Sequence, residues 1–220
     1  MLLADERKQI IDVCHRMVAD DLVVGTAGNV SVRAGELLAI TPSGVPYADL
    51  RPELISVVRF DDGARVDSPL APASELELHQ VALRATQSGA VVHTHSGAAT
   101  AVACLEGIDE VPAVHYYAAM FGGAPRVAPY HRYGSSALAS AVESALVGRN
   151  SALMGNHGAV VTGSDLTQAY DRALYLEWLC DLVLRVSSAG VPRVLPEEEI
   201  AGVVEQMKGY GQSAPPADAR

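Results

Sequence analysis

Short β-rich runs, most of them paired across tight turns, alternate irregularly with amphipathic stretches along this chain. Residues 30–32 and 37–41 flank Ala34-Gly35-Glu36, and residues 55–60 and 64–66 flank Asp61-Asp62-Gly63. Residues 152–154 and 159–162 flank Gly155-Asn156-His157-Gly158. Gly- and Asx-rich connections of this length favour hairpins. Single β-rich runs stand at 90–95 and 126–128. Helical spacing is present at 4–20, where Ile10, Ile11, Cys14, Met17 and Val18 share a face. A helix is expected to open at Ser74, with Glu77 in capping-box position and Leu76, Val81, Leu83 and Ala85 continuing it. Further helices are expected after His95 to about 105, from 135 or 136 to 147, and from 164 or 165 to 188. Pro196 before three glutamates marks one more, since Pro suits a first turn and acids suit its dipole. Strict βαβ units would give a parallel sheet. This order predicts an α/β chain with a mixed or antiparallel sheet and helices on its faces.

With 220 residues, 49% of them hydrophobic and 19% charged, the chain can bury a core without disulfides or a structural metal. One domain is expected over residues 1–211, followed by a disordered tail at 212–220 (QSAPPADAR). A net charge of −10 argues against nucleic acid as a partner, because neutralising phosphates takes surplus Lys and Arg. Cys14, Cys104 and Cys180 are widely spaced and form no CxxC, which fits reduced core thiols in a cytoplasmic protein. The first ten residues carry Asp5, Glu6, Arg7 and Lys8 with no apolar segment, so no secretory signal is expected. The most apolar stretch, 89–105, is interrupted by His93 and His95 and is too short for a membrane span.

The chemistry concentrates on histidines. In a strand, His93 and His95 of His93-Thr94-His95 face the same side, so both imidazoles can meet one ion such as Zn, Co, Ni or Fe(II). The plainer alternative is two polar side chains on a solvated sheet face. His157, held between Gly155 and Gly158, is the candidate third ligand, against an ordinary loop histidine. His15 and His79 fall in helices and read as structural, while His115 and His131 lie in loop-like stretches beside tyrosines. Glu75 is the candidate carboxylate, against a first-turn acid that merely complements a helix dipole. Three imidazoles with a carboxylate in reach would leave an open coordination position and a group to move protons.

Two turns offer backbone N–H groups and short polar side chains to an anion: Gly25-Thr26-Ala27-Gly28-Asn29-Val30-Ser31 and Thr41-Pro42-Ser43-Gly44. Neither is a P-loop, no GxGxxG follows a strand, and no GxSxG is present. A cupin-like site would want a Glu soon after His95, where Ala98, Ala99 and Thr100 stand. An amidohydrolase barrel would want a much longer chain. Lys8 and Lys208 are the only lysines and neither lies in an apolar strand, which argues against imine chemistry.

Seven segments in order carry a resemblance: GTAGNVSVR (25–33), ITPSGVPY (40–47), Ser74-Glu75, VVHTHS (91–96), VHYY (114–117), GNHG (155–158) and KGYG (208–211). Together they resemble the class II aldolase/epimerase family, in its aldolase branch, from about residue 7 to 211. The resemblance implies a single three-layer α/β domain, with a central, largely antiparallel sheet flanked by helices. It also implies a homotetramer with active sites at subunit interfaces. It assigns His93, His95 and His157 to one Zn²⁺ per subunit, with Co²⁺ or Mn²⁺ as substitutes. Glu75 would be the acid/base and a metal ligand when substrate is absent. Gly28, Asn29, Ser43, Gly44 and Ser74 would hold a substrate phosphate. Tyr116 would reach a neighbouring subunit's site as a proton donor or acceptor, Tyr210 would close the site, and Tyr133 would shape the aldehyde pocket.

The implied reaction is cleavage of a ketose 1-phosphate, such as L-fuculose 1-phosphate, to dihydroxyacetone phosphate and a short aldehyde such as L-lactaldehyde. The ion would stabilise an enediolate as a Lewis acid. Two departures bear on substrate choice: Ala73 stands where the aldolases have a serine, and Tyr133 where they usually have Phe. One phosphate hydroxyl is therefore expected to be missing, with a backbone amide left as a donor. Within the family, 4-epimerases of phosphopentoses usually carry Asp at the Glu75 position. Dehydratases carry a glutamate after the His115 position, where this chain has Tyr116-Tyr117-Ala118-Ala119. Decarboxylases of aromatic acids share the fold as well. A non-enzymatic, adducin-like interaction domain is the reading from another class, and it would lack the metal triad.

Overall fold

The computed structural model describes residues 1–207. The positions of Lys208-Gly209-Tyr210-Gly211 and of the expected tail, and with them the role given to Tyr210, lie outside the described residues.

The hairpins form where turn chemistry placed them. Strands β1 (Asn29–Ala34) and β2 (Leu37–Ile40) pair across Gly35, β3 (Ser56–Arg59) with β4 (Arg65–Asp67), and β7 (Ser151–Met154) with β8 (Gly158–Gly163). Adding β5 (Ala90–Thr94) and β6 (Arg126–Ala128) gives one eight-stranded sheet in the order β4-β3-β2-β1-β5-β8-β7-β6. Every pairing is antiparallel except β6 with β7.

Strand alternation divides the core into two layers. Val30, Ala39, Val57, Val92 and Val161 pack against α1 (Ala4–Ala19), α3 (Gly97–Ala103), α5 (Leu166–Ala189) and α6 (Glu197–Met207). Leu38, Val58, Val91, Ala152 and Val160 pack against α2 (Leu76–Thr86) and α4 (Ser136–Ala145). The sheet is therefore covered on both faces, as expected. By the same parity Asn29, Ser31 and His93 face the α2 side.

Several local expectations need correction. Ser74 does not cap α2: the helix starts at Leu76 with Glu75 in the N-cap position and no side-chain cap. Glu77 instead accepts a hydrogen bond from the Ser136 hydroxyl at 2.7 Å, at the head of α4. The Glu75 carboxylate turns instead to the Asn29 side chain and the His93 ring. The buried stripe of α2 is Leu78, His79, Gln80, Ala82 and Leu83, which sets Ala85 in solvent. In α1, Val18 is exposed, and Arg7 is buried in its stead by an ion pair with Asp67 at 2.8 Å. Cys14 and Cys180 are core thiols, but Cys104 is exposed where α3 ends. Residues 116–121, read as loop-like, form a 3-10 helix, Tyr116–Phe121. Among the described residues, no helix is long and apolar enough to cross a membrane.

Candidate metal centre and its cavity

Strand β5 lies between β1 and β8, with Asn29 opposite His93 and Ala159 opposite Thr94. Three chain segments thus meet at one end of these neighbouring strands. Two glycines permit that meeting. A Cβ at Gly28, whose φ is +79°, would fall 2.7 Å from the His93 carbonyl oxygen. A Cβ at Gly158 would fall 2.2 Å from the Thr94 carbonyl oxygen. The tight path read from Gly155-Asn156-His157-Gly158 is therefore a close approach of the β7–β8 turn to the end of β5.

His93, His95 and His157 converge there, each offering a ligand nitrogen within 4.8 Å of the others. Their ring centroids lie 4.7, 5.0 and 4.9 Å apart. The sheet face is not solvated at this point: His93 is 0% exposed. Its Nδ1 donates to the Ala159 carbonyl at 2.8 Å. Its Nε2 therefore faces inward, 3.0 Å from His95 Nε2 and 3.1 Å from Glu75 Oε2. His157 Nε2 lies 3.5 Å from Glu75 Oε1.

The electrostatics are those of a cation site. Burial alone would raise the Glu75 carboxyl, but the His93 ring, the Asn29 amide and His157 hold it well below the usual carboxylate range. Burial, with the neighbouring His93 and His157, lowers His95 to about 4. Burial, then His93, lowers His157 as well. A buried anion facing three imidazoles, of which His95 and His157 resist protonation, is best satisfied by a positive ion at their focus. Glu75 Oε1 is buried with no hydrogen-bond partner, which also fits a bound ion. The donor set therefore suits a divalent metal held by His93, His95 and His157, with Glu75 in reach.

A cavity of about 320 Å³ opens in front of this cluster. Glu75, His95 and His157 line its floor. Both anticipated turns border it, through Thr26, Gly28 and Asn29 on one side and Ser43 and Gly44 on the other. Ser74 and Ala73 line it too. Among the described residues, none hydrogen-bonds to the hydroxyls of Thr26, Ser43 or Ser74. The backbone amide of Ala73 itself is not available to replace the missing hydroxyl: it donates to the Thr41 carbonyl at 2.9 Å. The Asn29 side chain is engaged too, donating from Nδ2 to Glu75 Oε2 at 3.1 Å.

Tyr133 is at the mouth and 73% exposed. Tyr130, His131 and Asn156 join the lining without having been singled out. The parallel β6–β7 pairing explains them: it sends residues 129–133 out at the same end of the strands as the turn carrying His157. Tyr116 is absent from this lining. It is 46% exposed and sits in a groove with Tyr117, Tyr175 and Met207. The first turn of α3, just after His95, is closed to any bound anion, because the Glu177 carboxylate accepts from Ala98 N and Ala99 N at 2.7 and 2.8 Å.

His79, read as structural, is entirely buried one helical turn from Glu75. Its Nδ1 is 2.6 Å from the Ser31 hydroxyl, and its Nε2 makes a very short contact with Asn29 Oδ1. Burial pushes this imidazole down to about 3, so it is neutral.

Residues 8–184 match the family described as Class II Aldolase and Adducin N-terminal domain. A 5-methylthioribulose-1-phosphate/5-deoxyribulose-1-phosphate aldolase of Rhodospirillum rubrum is 38% identical, over 96% of this chain and 96% of its own. A 5-deoxy-D-ribulose 1-phosphate aldolase of Bacillus thuringiensis serovar kurstaki is 34% identical, over 96% of this chain and all of its own. A solved L-fuculose 1-phosphate aldolase superposes with a TM-score of 0.89 at 32% identity, covering 94% of this chain and 98% of that one. With an α/β sheet of this order, a triple-histidine focus and relatives matched end to end, the chain belongs to the class II aldolase family.

Proposed function

We propose that this protein is a metal-dependent aldolase that cleaves a ketose 1-phosphate to dihydroxyacetone phosphate and a short aldehyde. The observation that carries this reading is the juxtaposition of the histidine cluster and Glu75 with an open, hydroxyl-lined cavity. His93, His95 and His157 would hold the ion, Zn²⁺ being the first choice for three imidazoles and Co²⁺ or Mn²⁺ substitutes. Bound there, it supplies Lewis-acid stabilisation of the negative charge that develops beside the substrate carbonyl.

The chain's own groups account for the remaining needs. Thr26, Ser43 and Ser74 offer hydroxyl donors to the phosphate, and Gly28 and Gly44 keep the backbone open to it. Asn29 borders this cradle, with its side chain turned to Glu75. Glu75 is ionised at rest, so it can take a proton from C3 of dihydroxyacetone phosphate in the condensation direction and return it in cleavage. A proton must also leave the C4 hydroxyl as the bond between C3 and C4 breaks. Tyr116 of a second copy is our candidate for that step, in a homotetramer with sites between subunits.

L-fuculose 1-phosphate is the first substrate to test, which would yield L-lactaldehyde. A second reading, 5-deoxy-D-ribulose 1-phosphate, is favoured by the names of the two relatives. Its cleavage between C3 and C4 leaves a two-carbon aldehyde. The test is a panel of ketose 1-phosphates and ketose 5-phosphates with the zinc- or cobalt-loaded protein, scored for dihydroxyacetone phosphate. Release from 1-phosphates supports the reading. Epimerised 5-phosphate without release would replace it with a 4-epimerase.

A further inference from the structure

We propose that His79 is a positioning residue which, through Asn29, restrains one oxygen of Glu75 and leaves the other to carry the proton. This rests on the reading of Glu75 as the proton carrier. Strand and helix periodicity bring the parts together. Asn29 and Ser31, two apart on β1, face α2, where Glu75 and His79 lie one turn apart. All four side chains are buried.

The direction of every bond in the chain follows from its last member. An ionised carboxylate only accepts, so the Asn29 nitrogen, 3.1 Å from Glu75 Oε2, must be the donor there. The amide oxygen then points away from Glu75, at His79 Nε2, which must therefore carry a hydrogen. His79 Nδ1 is left as an acceptor and takes the Ser31 hydroxyl hydrogen across 2.6 Å. Each group has one role, and reversing any link sets two donors or two acceptors against each other.

The consequence falls on Glu75. Its Oε2 is held by Asn29 and faces His93, whereas its Oε1 is buried with no hydrogen-bond partner. The geometry gives the proton traffic to Oε1. Without the His79 N–H, the Asn29 amide loses the anchor at its oxygen that fixes its plane, and Glu75 loses part of its fixed orientation. A packing role alone would be better served by an apolar side chain, since a buried imidazole is costly unless both nitrogens are used.

The experiment uses solvent deuterium incorporation into dihydroxyacetone phosphate by the zinc-loaded protein. His79→Met should lower kcat roughly tenfold to a hundredfold, as partners behind functional groups typically do. KM should move much less than kcat, because the cradle hydroxyls of Thr26, Ser43 and Ser74 are untouched. His79→Gln restores an N–H at the Nε2 position and should recover most of the loss, and Ser31→Ala should fall between wild type and His79→Met. Unchanged kcat in folded His79→Met, or no recovery with Gln, would overturn the proposal. Nitrogen-15 spectra of wild-type His79 judge it even where a variant misfolds: the proton is expected on Nε2, and a proton on Nδ1 would overturn the relay. If wild-type protein exchanges no deuterium at all, the aldolase reading fails, and the nitrogen spectrum still decides the relay.

Discussion

The cavity has two unlike walls. On one, His95, His157, Glu75 and Asn29 are mostly buried and already set against defined partners at 3.0–3.5 Å. On the other, Ser43, Ser74, Tyr130 and Tyr133 stand toward solvent, and the serine hydroxyls have no partner among the described residues. On the proposed function, the difference separates two duties. Groups that must meet developing charge are oriented before substrate arrives, so little reorganisation remains for the reaction itself. Groups that recognise a strongly hydrated phosphate are left unsatisfied by the protein, so the ligand completes them. Changes on the buried wall should act on turnover and metal content, and changes on the open wall on binding.

The largest effect is expected at His157. His157→Ala should lower the zinc content of the purified protein, measured by mass spectrometry, and remove detectable cleavage. Full metal and full turnover would show that a different third ligand exists and that the buried wall has been misdrawn.

Glu75→Gln comes next. It keeps the shape and the contact with Asn29 but cannot carry the proton, so deuterium exchange into dihydroxyacetone phosphate should fall by about 10²–10⁴-fold with metal retained. Wild-type-like exchange would take Glu75 out of the reaction and leave it a mere counter-charge.

Gly158→Ala probes how much the buried wall depends on backbone fit. The added methyl would sit 2.2 Å from the Thr94 carbonyl, a backbone atom that cannot give way cheaply. We expect a loss of about 1–3 kcal/mol in unfolding free energy, with weaker metal retention because His157 is the adjoining residue. A variant as stable as wild type, with full zinc, would show that the turn and the end of β5 move apart freely.

The two walls were also unequally legible in the sequence. Alternation of hairpins and amphipathic runs was enough for a sheet covered on both faces, because strand and helix periods are local properties. His93 and His95 were legible from strand period, and His157 from its glycine-bounded turn. The order of strands was not, because nothing local in residues 126–128 says that they pair in parallel with β7. Tyr130, His131 and Asn156 were given no place in the site for that reason. The partners of His79 were hidden differently. Its spacing from Glu75 was visible, but a histidine within a helix acquires meaning only when a strand bearing Asn29 and Ser31 packs across it. The capping box at Ser74 misled because local pattern competes with tertiary contacts, and the Glu75 carboxylate accepts from Asn29 on β1 rather than serving the helix end.

The smallest predicted effect sharpens the open wall. Ala73 is 6% exposed and borders the cavity beside Ser74, and its amide is committed to the Thr41 carbonyl. Position 73 therefore contributes no donor to a bound phosphate. Ala73→Ser adds one hydroxyl without disturbing the amide, and a hydrogen bond to a charged group is worth roughly 1.5–3 kcal/mol in favourable geometry. Part of that is offset by ordering the new side chain and drying its hydroxyl, so the expected outcome is a KM for ketose 1-phosphate lowered severalfold. Because the phosphate is bound alike in ground and transition states, kcat should stay put. A change in kcat at constant KM would mean that position 73 belongs with the buried wall, and that the division of duties between the two walls is drawn in the wrong place.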